Sequence, residues 1–122
     1  MKIAIPVNDK TMETRVCISF GRTPYFLVYD METKESKFIE NTAANSQGGA
    51  GIKAAQIVVD SNTDALLTPR CGENAANVLK VADIKIYKTM NDSLKDNLDA
   101  FAEGKLAELT EIHSGFHGHG GE

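Results

Sequence analysis

The chain has 122 residues, 42% of them hydrophobic, and a formal net charge of −4. That length buries a real apolar core without disulfide or metal staples, and the mixing of acidic with basic residues excludes the basic footprint of a general nucleic-acid binder. No apolar run approaches the ~20 residues of a membrane helix, the start turns polar at Asn8 and Asp9, too early for a signal peptide, and Cys17 and Cys71 are no secreted disulfide framework, so the expected compartment is the cytoplasm.

Lys2–Val7 places Ile3, Ile5 and Val7 on one face and Ala4 on the other, the pattern of a central strand. Pro6 cannot donate to a ladder and is read as lying near the strand's end. Residues 8–23 form a long loop with Arg15, Cys17 and Arg22, and with Val16, Ile18 and Phe20 to pin it down. Loops of that length tend to be functional or disordered. Residues 25–29, Tyr-Phe-Leu-Val-Tyr, give the strongest strand signal, and the more polar Ser36–Glu40 completes a hairpin and suits a sheet edge.

A second loop, 41–51, ends in Gly48, Gly49 and Gly51, and a helix is expected over 52–60 with Ile52, Ala55 and Val59 on its face. Ala65–Thr68 is the next strand. It runs through Pro69, Arg70, Cys71 and Gly72 into a helix, Glu73–Val81, whose apolar face is Ala75, Val78, Leu79 and Ala82. Residues 84–87 alternate like an edge strand. Asn91, Asp92 and Ser93 offer caps for a last helix with Leu94, Leu98, Phe101 and Ala102 as its stripe, which Gly104 would end. Residues 105–112 are weakly patterned. The expectation is one α/β domain over 1–112 and a flexible tail, 113–122, whose glycine-spaced His113, His117 and His119 are adventitious metal ligands at most.

Right-handed crossovers bring the fourth and fifth strands parallel to the first, and the polar third and fifth strands belong at the edges. The predicted sheet is therefore mixed and five-stranded, ordered 3-2-1-4-5, with strand 2 antiparallel and helices on both faces. Strands 1, 3, 4 and 5 then point one way, and their loops meet at one end, where open α/β sheets bind ligands. Cys17, Ser19, Arg22, Gly48, Gly49, Gly51, Arg70, Cys71 and Gly72 share that end. The glycines allow close backbone approach, and the helix N-termini and arginines make the crevice anion-seeking. Beside Arg70 and ahead of a helix, Cys71 is expected to have a lowered pKa. The same residues also fit a turn whose cysteine simply packs.

Ile3-Ala4-Ile5-Pro6-Val7, Ser19-Phe20-Gly21-Arg22-Thr23-Pro24-Tyr25-Phe26, Gly48-Gly49-Ala50-Gly51-Ile52, Gly72-Glu73-Asn74-Ala75 and Phe101-Ala102-Glu103-Gly104-Lys105-Leu106 together resemble the dinitrogenase iron–molybdenum cofactor biosynthesis family. The resemblance runs in order to about Leu106. It implies a ribonuclease-H-like, three-layer fold and the binding of an iron–sulfur or iron–molybdenum type cluster rather than catalysis, with a cluster-assembly protein as partner. A relative that carries a molybdenum–copper sulfide cluster is similar too. Where the family often has histidine before Phe-Gly-Arg this chain has Ser19, a poor ligand for a metal–sulfide cluster, so either that site is lost or Cys17 and Cys71 take over the ligation as thiolates. The functional expectation is a non-catalytic carrier or assembly factor for an anionic metal–sulfur cluster, and the alternative is a regulatory or scaffold domain binding a protein partner without cofactor. A nuclease is disfavoured, because the first strand offers only Asp9 at its end and the fourth has no carboxylate for a metal ion.

Overall fold

The computed structural model describes residues 1–110 of the chain; His113, His117 and His119 lie outside the described residues. Its strands are β1 (Lys2–Val7), β2 (Tyr25–Asp30), β3 (Ser36–Glu40), β4 (Ala65–Thr68) and β5 (Lys85–Lys88). They form one mixed sheet in the order β3-β2-β1-β4-β5. β2 runs antiparallel to β1 and to β3, while β1, β4 and β5 are parallel. The order and the directions agree with the sequence expectation. Pro6 does not push β1 outward. It stands opposite Phe26, and the parallel register with β4 covers only Ile3 and Ala4, upstream of the missing donor.

Three helices complete the fold: α1 (Ala50–Asp60), α2 (Glu73–Val81) and α3 (Leu94–Ala102). The period-two alternation of the strands decides what each helix meets. Ala4, Phe26, Leu66 and Ile86 face one side and pack with Ala54, Ala55 and Val58 of α1 and Ala75, Ala76 and Leu79 of α2. Ile3, Ile5, Val7, Leu27, Ala65 and Leu67 face the other, under Leu94 and Leu98 of α3.

Three local features depart from the sequence reading. α1 begins at Ala50 and buries Ala50, Ala54, Ala55 and Val58, while Ile52 is exposed. Two stripes on that helix were apolar enough to be buried, and the alanine stripe won because its small side chains meet the alanines of α2. A Cβ built on Gly51 would lie 3.7 Å from that of Ala75. The loop before α1 contains a 3-10 turn, Thr42–Asn45, capped by Asn41, whose Oδ1 accepts the Ala43 N–H at 3.1 Å. Beyond α3 the weakly patterned segment pairs with β5. Lys88 N–H donates to Ala107 O at 2.9 Å and Leu109 N–H to Ile86 O at 2.8 Å, so β5 has a partner along its outer edge.

α3 begins as expected at Ser93, whose Oγ accepts the Asp96 N–H at 3.1 Å, and Gly104 follows its end at φ +72°. Its stripe also holds a polar residue that periodicity does not pick out. Asn97 is fully buried, its Nδ2 donating to Asn91 O at 2.9 Å and Ser93 O at 2.8 Å, its Oδ1 accepting Met90 N–H at 2.8 Å. This one amide shapes the turn between β5 and α3. Among the described residues no helix is long and apolar enough to cross a membrane.

Replacing Asn97 by alanine strands the Met90 N–H and the Asn91 carbonyl in the turn between β5 and α3, while Ser93 O keeps the backbone N–H of residue 97 at 3.2 Å. Asn97→Ala should cost about 2–3 kcal/mol in urea unfolding, and a loss under about 0.5 kcal/mol would show that the turn holds without it.

Candidate functional site

The loop after β1 crosses the end of the sheet from one layer to the other. Val16, buried, faces the α3 side, its N–H bonded to Asp92 O at 2.9 Å. Phe20, also buried, faces the α1 and α2 side, where its ring centroid lies 5.4 Å from that of Phe26. The residues between and just after these two anchors stand where α1 and α2 begin.

A crevice of about 550 Å³ opens there. Its walls are Ile18, Ser19, Phe20, Gly21 and Arg22 from the loop after β1, Gly49, Ala50, Gly51 and Ile52 from the start of α1, and Arg70, Cys71, Gly72, Asn74 and Ala75 around the start of α2. Of the residues singled out in the sequence, Ser19, Arg22, Gly49, Gly51, Arg70, Cys71 and Gly72 line it. Cys17 and Gly48 are not among the lining residues. Cys17 is half-buried, its N–H donating to Pro6 O at 2.8 Å, so it belongs to the stretch that continues the sheet.

Both helices enter the crevice through glycine. α1 has Gly49 at its N-cap with φ +69°, α2 has Gly72, and neither receives a capping hydrogen bond from that residue's side chain. The first-turn amides of each helix have no intrahelical acceptor and carry the positive end of the helix dipole. α3 differs, since Ser93 caps it. No aspartate or glutamate is among the lining residues of the crevice, and among the described residues Arg70 has no carboxylate partner. Such an arrangement attracts an anion, although the chain as a whole is acidic.

A larger cleft, about 630 Å³, lies on the α3 side, lined in part by Glu13, Arg15, Asp92, Lys95 and Asp99. Its chemistry is poorer. Arg15 is taken up by Asp92 at 2.6 Å, and neither cysteine lines it. Among the described residues no group of three or more His, Cys, Asp or Glu side chains stands ready to hold a metal ion.

Three features of the crevice were missed in the sequence. Gly21 packs backbone to backbone on α1: a Cβ there would stand 3.1 Å from Gly51 N and 3.2 Å from Gly51 Cα. Asn41, buried, sends its Nδ2 to Gly21 O at 3.1 Å and Thr23 O at 2.9 Å. Asn74 lines the crevice from the first turn of α2. Gly21 carried a readable cue, a glycine among anchoring residues, and Asn74 stood within the Gly72-Glu73-Asn74-Ala75 helix start; Asn41 carried none.

The expectation for Cys71 is overturned. Cys71 is 1% exposed and packs within the core under α1 and α2, and burial pushes its thiol up to about 11. The helix dipole contributes about 0.3–1 kcal/mol at an open terminus. Loss of water around a thiolate costs more, so the buried thiol stays protonated, its Sγ 3.6 Å from Gly72 O.

The family model of the dinitrogenase iron-molybdenum cofactor matches residues 1–104. The chain belongs to this family. It is similar to the uncharacterized protein MJ0580 of Methanocaldococcus jannaschii, with 33% identity over 89% of this chain and 92% of that one. The apo form of the orange protein from Desulfovibrio gigas superposes with a TM-score of 0.82 at 27% identity, over 89% of this chain and 92% of the other. A NifB-like protein from Thermotoga superposes with a TM-score of 0.79 at 35% identity, over 91% of this chain and 95% of the other.

Two outcomes follow from this geometry. Gly21→Ala forces a methyl against backbone that cannot rotate away, and should cost about 1–3 kcal/mol in thermal unfolding. Gly48→Ala, which meets nothing within 4 Å, should stay within about 0.5 kcal/mol of the parent. A harmless Gly21→Ala would show that α1 does not sit where the contact requires. For Cys71 the folded pKa lies above the ordinary thiol value of 9.0, so the unfolded chain loses its proton first. The stabilising effect is complete below pH 9 and is lost as pH rises towards about 11. Between pH 8 and 11 the stability of the parent should therefore fall by about 2–3 kcal/mol relative to Cys71→Ala; parallel curves would mean that the thiol is not buried.

Proposed function

We propose that this protein is a non-catalytic carrier or assembly factor whose cargo is an anionic iron–sulfur or molybdenum-containing metal–sulfur cluster, received in the crevice between the starts of α1 and α2. The observation that carries the reading is the convergence of two glycine-entered helix N-termini and Arg70 on a space walled without carboxylates. Membership of the cofactor family supports it. The walls fit such a cargo in kind as well as charge. Exposed Ile18 and Ile52 and buried Phe20 and Ala75 offer apolar surface to sulfide, which is soft and weakly hydrated, while amides and guanidinium meet the negative charge.

Within this reading Ser19, Arg22, Gly49, Gly51, Arg70 and Gly72 form the cradle, and Gly48 sets the approach to α1. Cys71 is the soft ligand. Because its thiol is protonated at neutral pH, ligation requires the incoming metal to displace the proton, so uptake through Cys71 strengthens as pH rises. Cys17 contributes only when its loop is rearranged. The strand order, with one antiparallel strand, supports the ribonuclease-H-like naming of the fold. Two free cysteines suit the cytoplasm as its place of work and a cluster-assembly protein as its partner.

The test is metal and acid-labile sulfide analysis, with visible spectra, of protein purified and reconstituted without oxygen. The parent should take up cluster, Cys71→Ala should lose it with unchanged circular dichroism, and Cys17→Ala should weaken it. Full uptake by Cys71→Ala would leave amides and arginines as the whole site. A parent that stays colourless after reconstitution, with neither metal nor sulfide, would sink the carrier reading in favour of a regulatory or scaffold domain that binds a protein.

A further inference from the structure

Arg22 lines the crevice, yet the structure gives its side chain a second occupation. Nη1 donates to Ala44 O at 2.8 Å and to Ser46 O at 3.0 Å. Those two bonds use both hydrogens of Nη1. Both acceptors lie at the end of the 3-10 turn Thr42–Asn45, where carbonyls run out of backbone donors. Only residues 47 to 49 separate this end from α1, and Gly49 turns through the left-handed region. On the other side, Asn41 grips the carbonyls of Gly21 and Thr23, which flank Arg22, and Gly21 rests on Gly51. Ser19 Oγ accepts the Arg22 N–H at 3.2 Å and closes the turn that aims the side chain.

From this we infer that Arg22 is a positioning residue: its guanidinium clamps the 3-10 turn to the loop after β1 and thereby fixes where the first-turn amides of α1 point. The inference rests on the cargo reading for what those amides hold, and it deepens that reading by giving the two arginines different tasks. Arg70, exposed and without a carboxylate partner among the described residues, acts as charge. Arg22 acts through the fork of its guanidinium. Lysine keeps the charge of arginine and loses the planar pair of donors, so the two tasks separate on that substitution.

Tetrathiomolybdate, a compact anionic molybdenum sulfide, serves as the probe. Its affinity is measured by visible titration under nitrogen for the parent, Arg22→Lys, Arg22→Ala and Arg70→Lys. Amide exchange is followed in the probe-free proteins at Ser46 and Lys53, whose N–H groups donate to Ala43 O and Gly49 O, both at 3.0 Å. The clamp predicts about tenfold weaker binding in both Arg22 variants. It also predicts about tenfold faster exchange at Ser46 and Lys53 in those two proteins, and exchange at the parent rate in Arg70→Lys, whose guanidinium holds neither amide. The thermal midpoint should move little, because the core faces are untouched. Parent-like binding by Arg22→Lys would overturn the inference and make Arg22 a charge contact. Should the parent itself fail to bind the probe, the cargo reading fails separately, and exchange still decides the clamp: unchanged rates in Arg22→Ala would refute it.

Discussion

Gly21 meets the first turn of α1 with no side chain between the two backbones, and the geometry of the crevice hangs on that contact. Atoms of Gly51 lie where a Cβ on residue 21 would go, and backbone cannot step aside as a flexible side chain can. The contact holds the loop after β1 against α1. On its other flank α1 packs its alanine stripe on the alanines of α2. Small residues on both sides thus let two helix N-termini converge on one space. A larger residue at either contact would separate the termini, and the sum of their fields would be lost over a few ångströms.

The charge of the whole chain says little about this place. A protein of net charge −4 presents a crevice with no carboxylate among its lining residues, although Glu73 stands in the first turn of α2. Capping follows the same division. Ser93 satisfies the start of α3 from within, whereas Gly49 and Gly72 leave the starts of α1 and α2 open. Two arginines and the uncapped amides of two helix starts together supply the positive potential there. The loop after β1 serves both regions, tied through Val16 and Arg15 to the turn before α3 and through Phe20 to the crevice.

Cys71 and Arg22 illustrate how neighbours in sequence mislead about function. Cys71 follows an arginine and precedes a helix, the local setting of an acidic thiol. Its side chain turns inward, and desolvation outweighs the dipole. Arg22 has the charge of an anion contact, and two carbonyls twenty-odd residues away engage it instead. In each case the deciding partner is set by packing between loops, at a separation no short motif records.

The sequence alone determined the strand set, the central place of β1, the order of the sheet and the end at which the loops gather. These rest on hydrophobic periodicity and on the handedness of crossovers, which act over a dozen residues or follow from chain chirality. It also pointed to half of the residues that line the crevice, since glycine and arginine before a helix have few physical uses. Tertiary structure alone decided which stripe of α1 is buried, that residues 107–109 cover β5, that Asn41 and Asn97 are buried hubs, and that Cys17 stands away from the crevice while Cys71 lies beneath it as a thiol. Each of these depends on a partner remote along the chain, a carbonyl to be satisfied or a surface to be filled, and only folding brings that partner within reach.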